Sequence, residues 1–158
     1  MAGPHGRLIV ICGLPGSGKS TLAAALAEQP GATLFASDDW LDALGLDMWD
    51  EDGRRRVEQL QWQMVQVVLR LGGTAIVEWG SWGRDERDQL RNGARELGAT
   101  VELVYLSAPV ETLFERIARR NRERPPITLD MLRQWAMAFQ VPTVDELALY
   151  DPPAKVTS

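Results

Sequence analysis

Histidine and cysteine are nearly missing from this chain, with His5 and Cys12 the single example of each. One cysteine cannot close an internal disulfide. Set inside an apolar run, Cys12 is expected to serve as a small buried hydrophobe, and the chain points away from an oxidising compartment. A lone histidine beside the N-terminus argues against histidine-based catalysis and against a histidine-rich metal site. No apolar run approaches the ~18 residues of a membrane span, and Met1–Gly6 lacks the core of a signal peptide. The expected location is cytoplasmic, with no membrane partner. Internal repeats and long linkers are absent too.

Positive charge is in short supply. The 22 acidic residues outnumber the 17 basic ones, giving a net charge of −5 and a sequence pI of about 4.9. General nucleic-acid binding calls for a basic face, so the balance favours a small-molecule partner over nucleic acid. With 158 residues, 45% hydrophobic and 25% charged, the chain fits one domain with a real core. That domain is expected to span 1–158, with loose tails at 1–6 and 151–158. Oligomeric state leaves no trace in the sequence.

What is present begins with Gly13-Leu14-Pro15-Gly16-Ser17-Gly18-Lys19-Ser20, a full match to the phosphate-loop pattern G-x-x-x-x-G-K-[ST], followed by Thr21. The glycines let backbone N–H groups close on phosphate oxygens. Lys19 brings a mobile charge for the β- and γ-phosphates, and Ser20 a hydroxyl for Mg²⁺. Pro15 suits a loop position that needs no N–H. The flanks agree. Arg7–Cys12 is a short apolar run of strand type, and the alanine-rich stretch from Thr21 to Glu28 is strongly helical by propensity. The phosphates would sit at that helix's N-terminus. No Asn/Thr-Lys-x-Asp guanine-reading motif occurs, so ATP is the expected nucleotide.

Strand and helix patterns alternate along the rest, which predicts a parallel sheet covered by helices on both faces. Strands are expected at 32–36, 74–77, 100–106 and, short and last, 147–150. Helices are expected at 84–97, 109–121 and 129–139. A long helix is expected at 54–71, with Val57, Leu60, Met64, Val67, Val68 and Leu71 facing inward, and residues 45–53 are expected to be irregular.

A parallel sheet puts its ligand at the C-terminal edge of the strands. Asp38 and Asp39 follow the second expected strand and Glu78 the third. Phosphoryl transfer needs positioning, charge neutralisation and an oriented nucleophile. Asp38 is the candidate to accept the proton of an attacking hydroxyl; the alternative is a helix N-cap, since Ser37-Asp38-Asp39 is also a capping pattern. Glu78 is a candidate for the Mg²⁺ shell through water, or else an exposed carboxylate at the start of a loop. Arg116, Arg119, Arg120, Arg122 and Arg124 form either a solvated basic face or a lid. The spacing Leu113-x-x-Arg116-x-x-x-Arg120 puts two guanidiniums one turn apart, within reach of phosphates.

Six tryptophans are many for this length. Trp62 and Trp135 fall on expected helices and suit packing. Trp40, Trp79 and Trp82 share the edge loops with the acids, and Trp49 lies in the acidic loop. They either shape a pocket for a ring or plug the open end of a small domain.

These segments together resemble the small P-loop kinases of the AAA_33, polynucleotide kinase, zeta-toxin and chloramphenicol phosphotransferase type, with gluconate kinase related in style. The resemblance runs from about Arg7 to Tyr150. It implies a three-layer P-loop NTPase fold with about five mostly parallel strands in the order 2-3-1-4-5 and a short arginine-rich lid. It also implies an ATP- and Mg²⁺-dependent kinase acting on a hydroxyl. Asp38 stands where the family has its activating aspartate, and Arg116 and Arg120 stand at the lid arginines, with Lys19 completing the catalytic set. Gly13, Pro15, Gly16, Ser17, Gly18, Lys19, Ser20 and Thr21 would hold the nucleotide. Ser20 and Glu78 would serve the metal. Asp38, Asp39, Trp40, Glu78, Trp79 and Trp82 would meet the acceptor. Polynucleotide kinases place an arginine soon after the aspartate pair, where this chain reads Trp40-Leu41-Asp42-Ala43. That departure favours a sugar-like or ring-shaped acceptor over a 5′-hydroxyl polynucleotide. A nucleotide-dependent switch is the reading from another class.

Overall fold

The computed structural model describes residues 5–153. Its centre is β1 (Arg7–Cys12), in which every residue from Leu8 to Cys12 is at most 1% exposed. Such a run, apolar on both faces, suits a strand covered from above and below. It pairs in parallel with β3 (Thr74–Gly80) on one side and β4 (Thr100–Tyr105) on the other, and β2 (Ala32–Ala36) adds beyond β3. The sheet order is β2-β3-β1-β4. The expected three-layer parallel architecture is present, with four strands instead of about five.

On one face, Ile9, Ile11 and Ile76 pack against Leu22, Ala23 and Leu26 of α1 (Lys19–Ala27). On the other, Leu8, Val10, Ala75, Val77 and Val101 meet Val65 and Leu69 of α3 (Glu51–Arg70), and Leu90 and Ala94 of α4 (Arg84–Glu96). The short α2 (Ser37–Ala43) follows β2 directly. Beside this sandwich, α5 (Val110–Arg120) and α6 (Leu129–Ala138) share a smaller core of Leu113, Ile117, Ile127 and Leu132. Among the described residues no helix is long and apolar enough to cross a membrane.

Of the face expected inward on the long helix, Val57 is buried and Val68 packs against the core, but the stripe as a whole is rotated. The helix's buried stripe is Gly53, Val57, Gln61, Val65 and Leu69, while Leu60, Met64, Val67 and Leu71 are exposed. Gln61 sets the orientation. Fully buried, it donates to the Ala36 carbonyl at 3.2 Å and accepts from Trp79 Nε1 at 2.7 Å. Leaving either buried group unpaired would cost about 1–3 kcal/mol. The helix also starts three residues earlier than expected, because the Asp50 side chain caps it by accepting from Gly53 N at 2.9 Å.

Among the described residues no fifth strand forms. Val144–Leu147 is a helix, α7, whose N-cap Thr143 accepts from Glu146 N. The open edge of β4 is met at Val101 by one residue. Asp151 N donates to the Val101 carbonyl at 2.8 Å, and the Asp151 carboxylate accepts from Val101 N at 2.7 Å and from Arg95 at 2.6 Å. Asp151 was expected in a loose tail and is pinned. Gly6 is pinned likewise, since it is buried and its carbonyl accepts from Thr100 N. Within the expected tails, residues 1–4 and 154–158 lie outside the described residues.

α7 is tied to α4 by an ion pair with both partners about 1% exposed: Arg87 to Glu146, with contacts of 2.8 and 3.0 Å. The rest of the Arg87 guanidinium donates to the carbonyls of Ser81, Trp82 and Gln140. Removing one member of such a pair strands the other charge. Glu146→Gln is therefore expected to lower unfolding free energy by about 3–5 kcal/mol, measured by urea denaturation. A loss below about 1 kcal/mol would show that the pair is not buried as described.

Candidate active site

The chain leaves β1 into the phosphate loop, and close packing explains two of its glycines. A Cβ at Gly13 would lie 2.5 Å from the Leu106 carbonyl oxygen, and one at Gly16, where φ is 81°, 2.8 Å from that of Leu113. The loop ends at Gly18, the N-cap of α1, so the unpaired N–H groups of the helix's first turn open towards the loop. Lys19 Nζ donates to the Leu14 carbonyl at 2.8 Å, which holds the side chain across the loop. Burial lowers the Lys19 pKa, while the charges of Glu78 and Asp38 act to raise it. The ammonium and both carboxylates therefore belong to one electrostatic site.

These groups line a cleft of about 1160 Å³. Gly13, Pro15, Gly16, Gly18, Lys19, Ser20 and Thr21 form one wall; Asp38, Asp39, Glu78, Trp79 and Trp82 lie along the strand ends; Arg116, Arg120 and Arg122 come from α5 and the segment after it. Asp38 sits in the first turn of α2 and does not cap it, because the N-cap is Ala36 with no side-chain cap bond. The side chain is instead held by Arg54, which pairs with Asp38, donates to Ser37 Oγ at 3.3 Å and reaches the Met48 carbonyl at 3.0 Å. Asp39 meets Arg122 at 3.3 Å. Arg116 Nη1 donates to the Gly16 carbonyl at 3.0 Å, fastening α5 to the phosphate loop, and Arg120 pairs with Glu123 at 2.7 Å. Glu78 lies inside β3, which runs three residues beyond its expected end.

Two expected site residues are elsewhere. Trp40 packs into the core face of the sheet and does not line the cleft. Ser17 borders a separate cavity of about 110 Å³ beside Tyr105 and Phe139, and its buried hydroxyl has no partner. Cys12 is fully buried as expected, and burial pushes its thiol up to about 11. Trp135 and Trp62 do more than pack, since both line the cleft. Trp135 lies between Trp82 at 5.5 Å and Trp49 at 6.2 Å, and Trp49 Nε1 donates to the Pro125 carbonyl. An aromatic wall thus joins the loop before α3 to the segment before α6.

The sequence reading missed the contribution of α3. Arg54, Glu58 and Trp62 line the cleft at four-residue intervals. That i, i+4 repeat of polar and aromatic residues beside the apolar stripe marks a second functional face. Ser81 and Glu86 were missed as well.

Comparison with known proteins identifies the family and the fold. A family model described as an AAA domain, AAA_33, matches residues 8–142. The chain belongs to that family. A UPF0200 protein of Hyperthermus butylicus is 30% identical over 151 residues, covering 85% of this chain and 76% of the relative. A shikimate kinase of Corynebacterium glutamicum is 28% identical over 151 residues, covering 90% and 84%. Among solved structures, a chain of the Pnkp1/Rnl/Hen1 RNA repair complex shares the fold, with a TM-score of 0.74 and 18% identity over 87% of this chain. This chain spans only 45% of that one.

Burial pushes the carboxyls of Glu58 and Glu78 up to about 7. Around Glu58, Arg54 and a hydrogen bond with Ser37 act downwards, while Glu86 and Asp38 act upwards. An unfolded glutamate loses its proton near pH ~4.3. Between there and about pH 7 the native state holds more protons than the unfolded chain, so these groups' stabilisation is complete below that window and is lost as pH rises through it. Glu58→Gln should remove one of the two contributions. Thermal midpoints measured from pH 5 to 8 should therefore show a gain for the variant over the parent that widens towards pH 8. A constant difference across that range would contradict the assignment.

Proposed function

We propose that this protein is a kinase that moves the γ-phosphate of ATP to a hydroxyl of a small molecule. One observation carries the reading: Asp38, anchored by Arg54, shares a single cleft with the phosphate loop and interacts electrostatically with Lys19. A loop that binds phosphates and a carboxylate that can take a hydroxyl proton are the two parts phosphoryl transfer requires. The family, and a shikimate kinase among its relatives, support the same class of chemistry.

Lys19 and the N–H groups at the start of α1 hold the β- and γ-phosphates. Asp38 accepts the proton of the acceptor hydroxyl as that oxygen bonds to the γ-phosphorus; the bond from phosphorus to the bridging oxygen breaks and ADP leaves. Arg116 and Arg120 lie on the lid side, where added cations offset charge on the transferring group. Ser20 and Glu78 offer hard oxygen donors of the kind Mg²⁺ accepts, directly or through water. No group of three or more His, Cys, Asp or Glu side chains suited to hold a metal occurs among the described residues, in keeping with an ion held largely by water and substrate phosphates. Bound there, Mg²⁺ would neutralise phosphate charge. The acidic balance of the chain and the carboxylates in the cleft weigh against a polynucleotide acceptor.

Asp38→Asn is expected to bind ATP normally and to lower phosphate transfer by about 10²-fold or more. Lys19→Ala should weaken both binding and transfer. Nucleotide titration alongside product mass separates the two effects. Transfer at the parent rate by Asp38→Asn would remove Asp38 as the base.

A further inference from the structure

The cations and anions of the cleft are not mixed evenly. Lys19, Arg116, Arg120 and Arg122 belong to the phosphate loop and the lid. At the other end, between α3 and α4, the wall is Glu58, Trp62, Trp79, Glu86, Gln89 and Leu90. The guanidiniums that act on these two carboxyls are occupied. Arg54, which acts on Glu58, is taken up by Asp38, Ser37 and the Met48 carbonyl, and Arg87, which acts on Glu86, is paired with Glu146. Neither Glu58 nor Glu86 has an ion-pair partner among the described residues. Each is close enough to feel other charges, and Glu58 feels Glu86 as a like charge. Glu58, pushed up to about 7 by burial, is fully ionised only above that pH or beside a bound cation, and two carboxylates without ion-pair partners on one wall of a cleft complement a cation.

Further observations say what kind of cation. The indoles of Trp62 and Trp79 provide flat apolar walls, with the Trp79 ring fixed by its bond to Gln61; indole faces also attract organic cations. Ser81, directly after β3, also lines the cleft; it is 2% exposed, and its buried hydroxyl has no hydrogen-bond partner. That leaves a polar group for a ligand to satisfy. The cleft, at about 1160 Å³, exceeds the ~300–1,000 Å³ typical of ligand pockets, so it has room for a ring-bearing acceptor beside the nucleotide phosphates.

We propose that the acceptor is an amino alcohol, a hydroxylated ring compound with at least one protonated amine, seated with the amine against Glu58 and Glu86 and the ring on Trp62 and Trp79. The identification of this ligand as the phosphate acceptor rests on the kinase reading; its recognition as a cation does not.

Calorimetric titration of the intact protein with three ring compounds tests it. The probes are 2-deoxystreptamine, which carries two amines; myo-inositol, which is uncharged; and quinate, a carboxylate. At low salt 2-deoxystreptamine should bind at least about tenfold more tightly than either of the others. Glu58→Gln and Glu86→Gln should each weaken that binding about fivefold or more while leaving the affinity for a non-hydrolysable ATP analogue unchanged. Glu86→Gln keeps a side chain able to reach the Gly83 backbone, so it reads the site independently of Glu58. Equal or tighter binding of myo-inositol or quinate, no binding of 2-deoxystreptamine, or folded variants that bind it like the parent would each overturn the proposal. Binding of 2-deoxystreptamine that both variants weaken, without phosphate transfer from ATP, would uphold the cation site and count against the kinase reading instead.

Discussion

Strand β1 is hydrogen-bonded along both edges, to β3 and to β4, and covered on both faces by helices. A strand fixed in all four directions has no freedom to shift, and the residues at its C-terminal end inherit that rigidity. The phosphate loop starts there, and its backbone is held from outside as well. Gly13 N donates to the Gly80 carbonyl, and the Cys12 carbonyl accepts from Leu106 N. The parallel register then sets the rest of the edge. Ile11 lies opposite Glu78 and Ala36 opposite Glu78 on its other side, so the carboxylate of β3 and the start of α2 fall beside the loop. The site follows from strand register more than from any single side-chain contact.

A second layer of fixation comes from buried polar groups. Gln61 couples α3 to the end of β2 and to Trp79. Arg87 gathers the Ser81, Trp82 and Gln140 carbonyls around a buried ion pair with Glu146. Both hold residues that line the cleft, Trp79 in one case and Ser81 and Trp82 in the other, and Ser81 has φ 47°, a left-handed conformation rare for a serine. These parts of the cleft are thus held by hydrogen bonds, while the phosphate loop is held by the sheet.

This division explains what the sequence disclosed. The phosphate loop, the alternation of strands and helices, and Asp38 and Glu78 at strand ends are local patterns, and each was legible. Long-range polar burial was not. Nothing local marks Arg87 and Glu146 as partners, since they lie 59 residues apart and meet only in the fold. Gln61 reads as a break in an apolar stripe, which is why Leu60 and Met64 were expected inside and lie outside. The short apolar run near 147 suggested a strand, but those residues form the end of α7 and a turn, and the β4 edge is met only at Val101, by Asp151. Trp40 shares a loop with the acids in sequence, yet the turn of α2 carries it to the core.

The claim at the centre is transfer of phosphate from ATP to an alcohol. The most direct measurement is product mass after incubating the purified protein with ATP and Mg²⁺ and a panel of hydroxylated amines, sugars, nucleosides and 5′-hydroxyl oligonucleotides. The account predicts one added phosphate on a small-molecule hydroxyl, matched mole for mole by ADP. ATP bound tightly, with ADP formed at the same rate whether or not any acceptor is present and no acceptor gaining mass, would contradict it and favour a nucleotide-dependent switch.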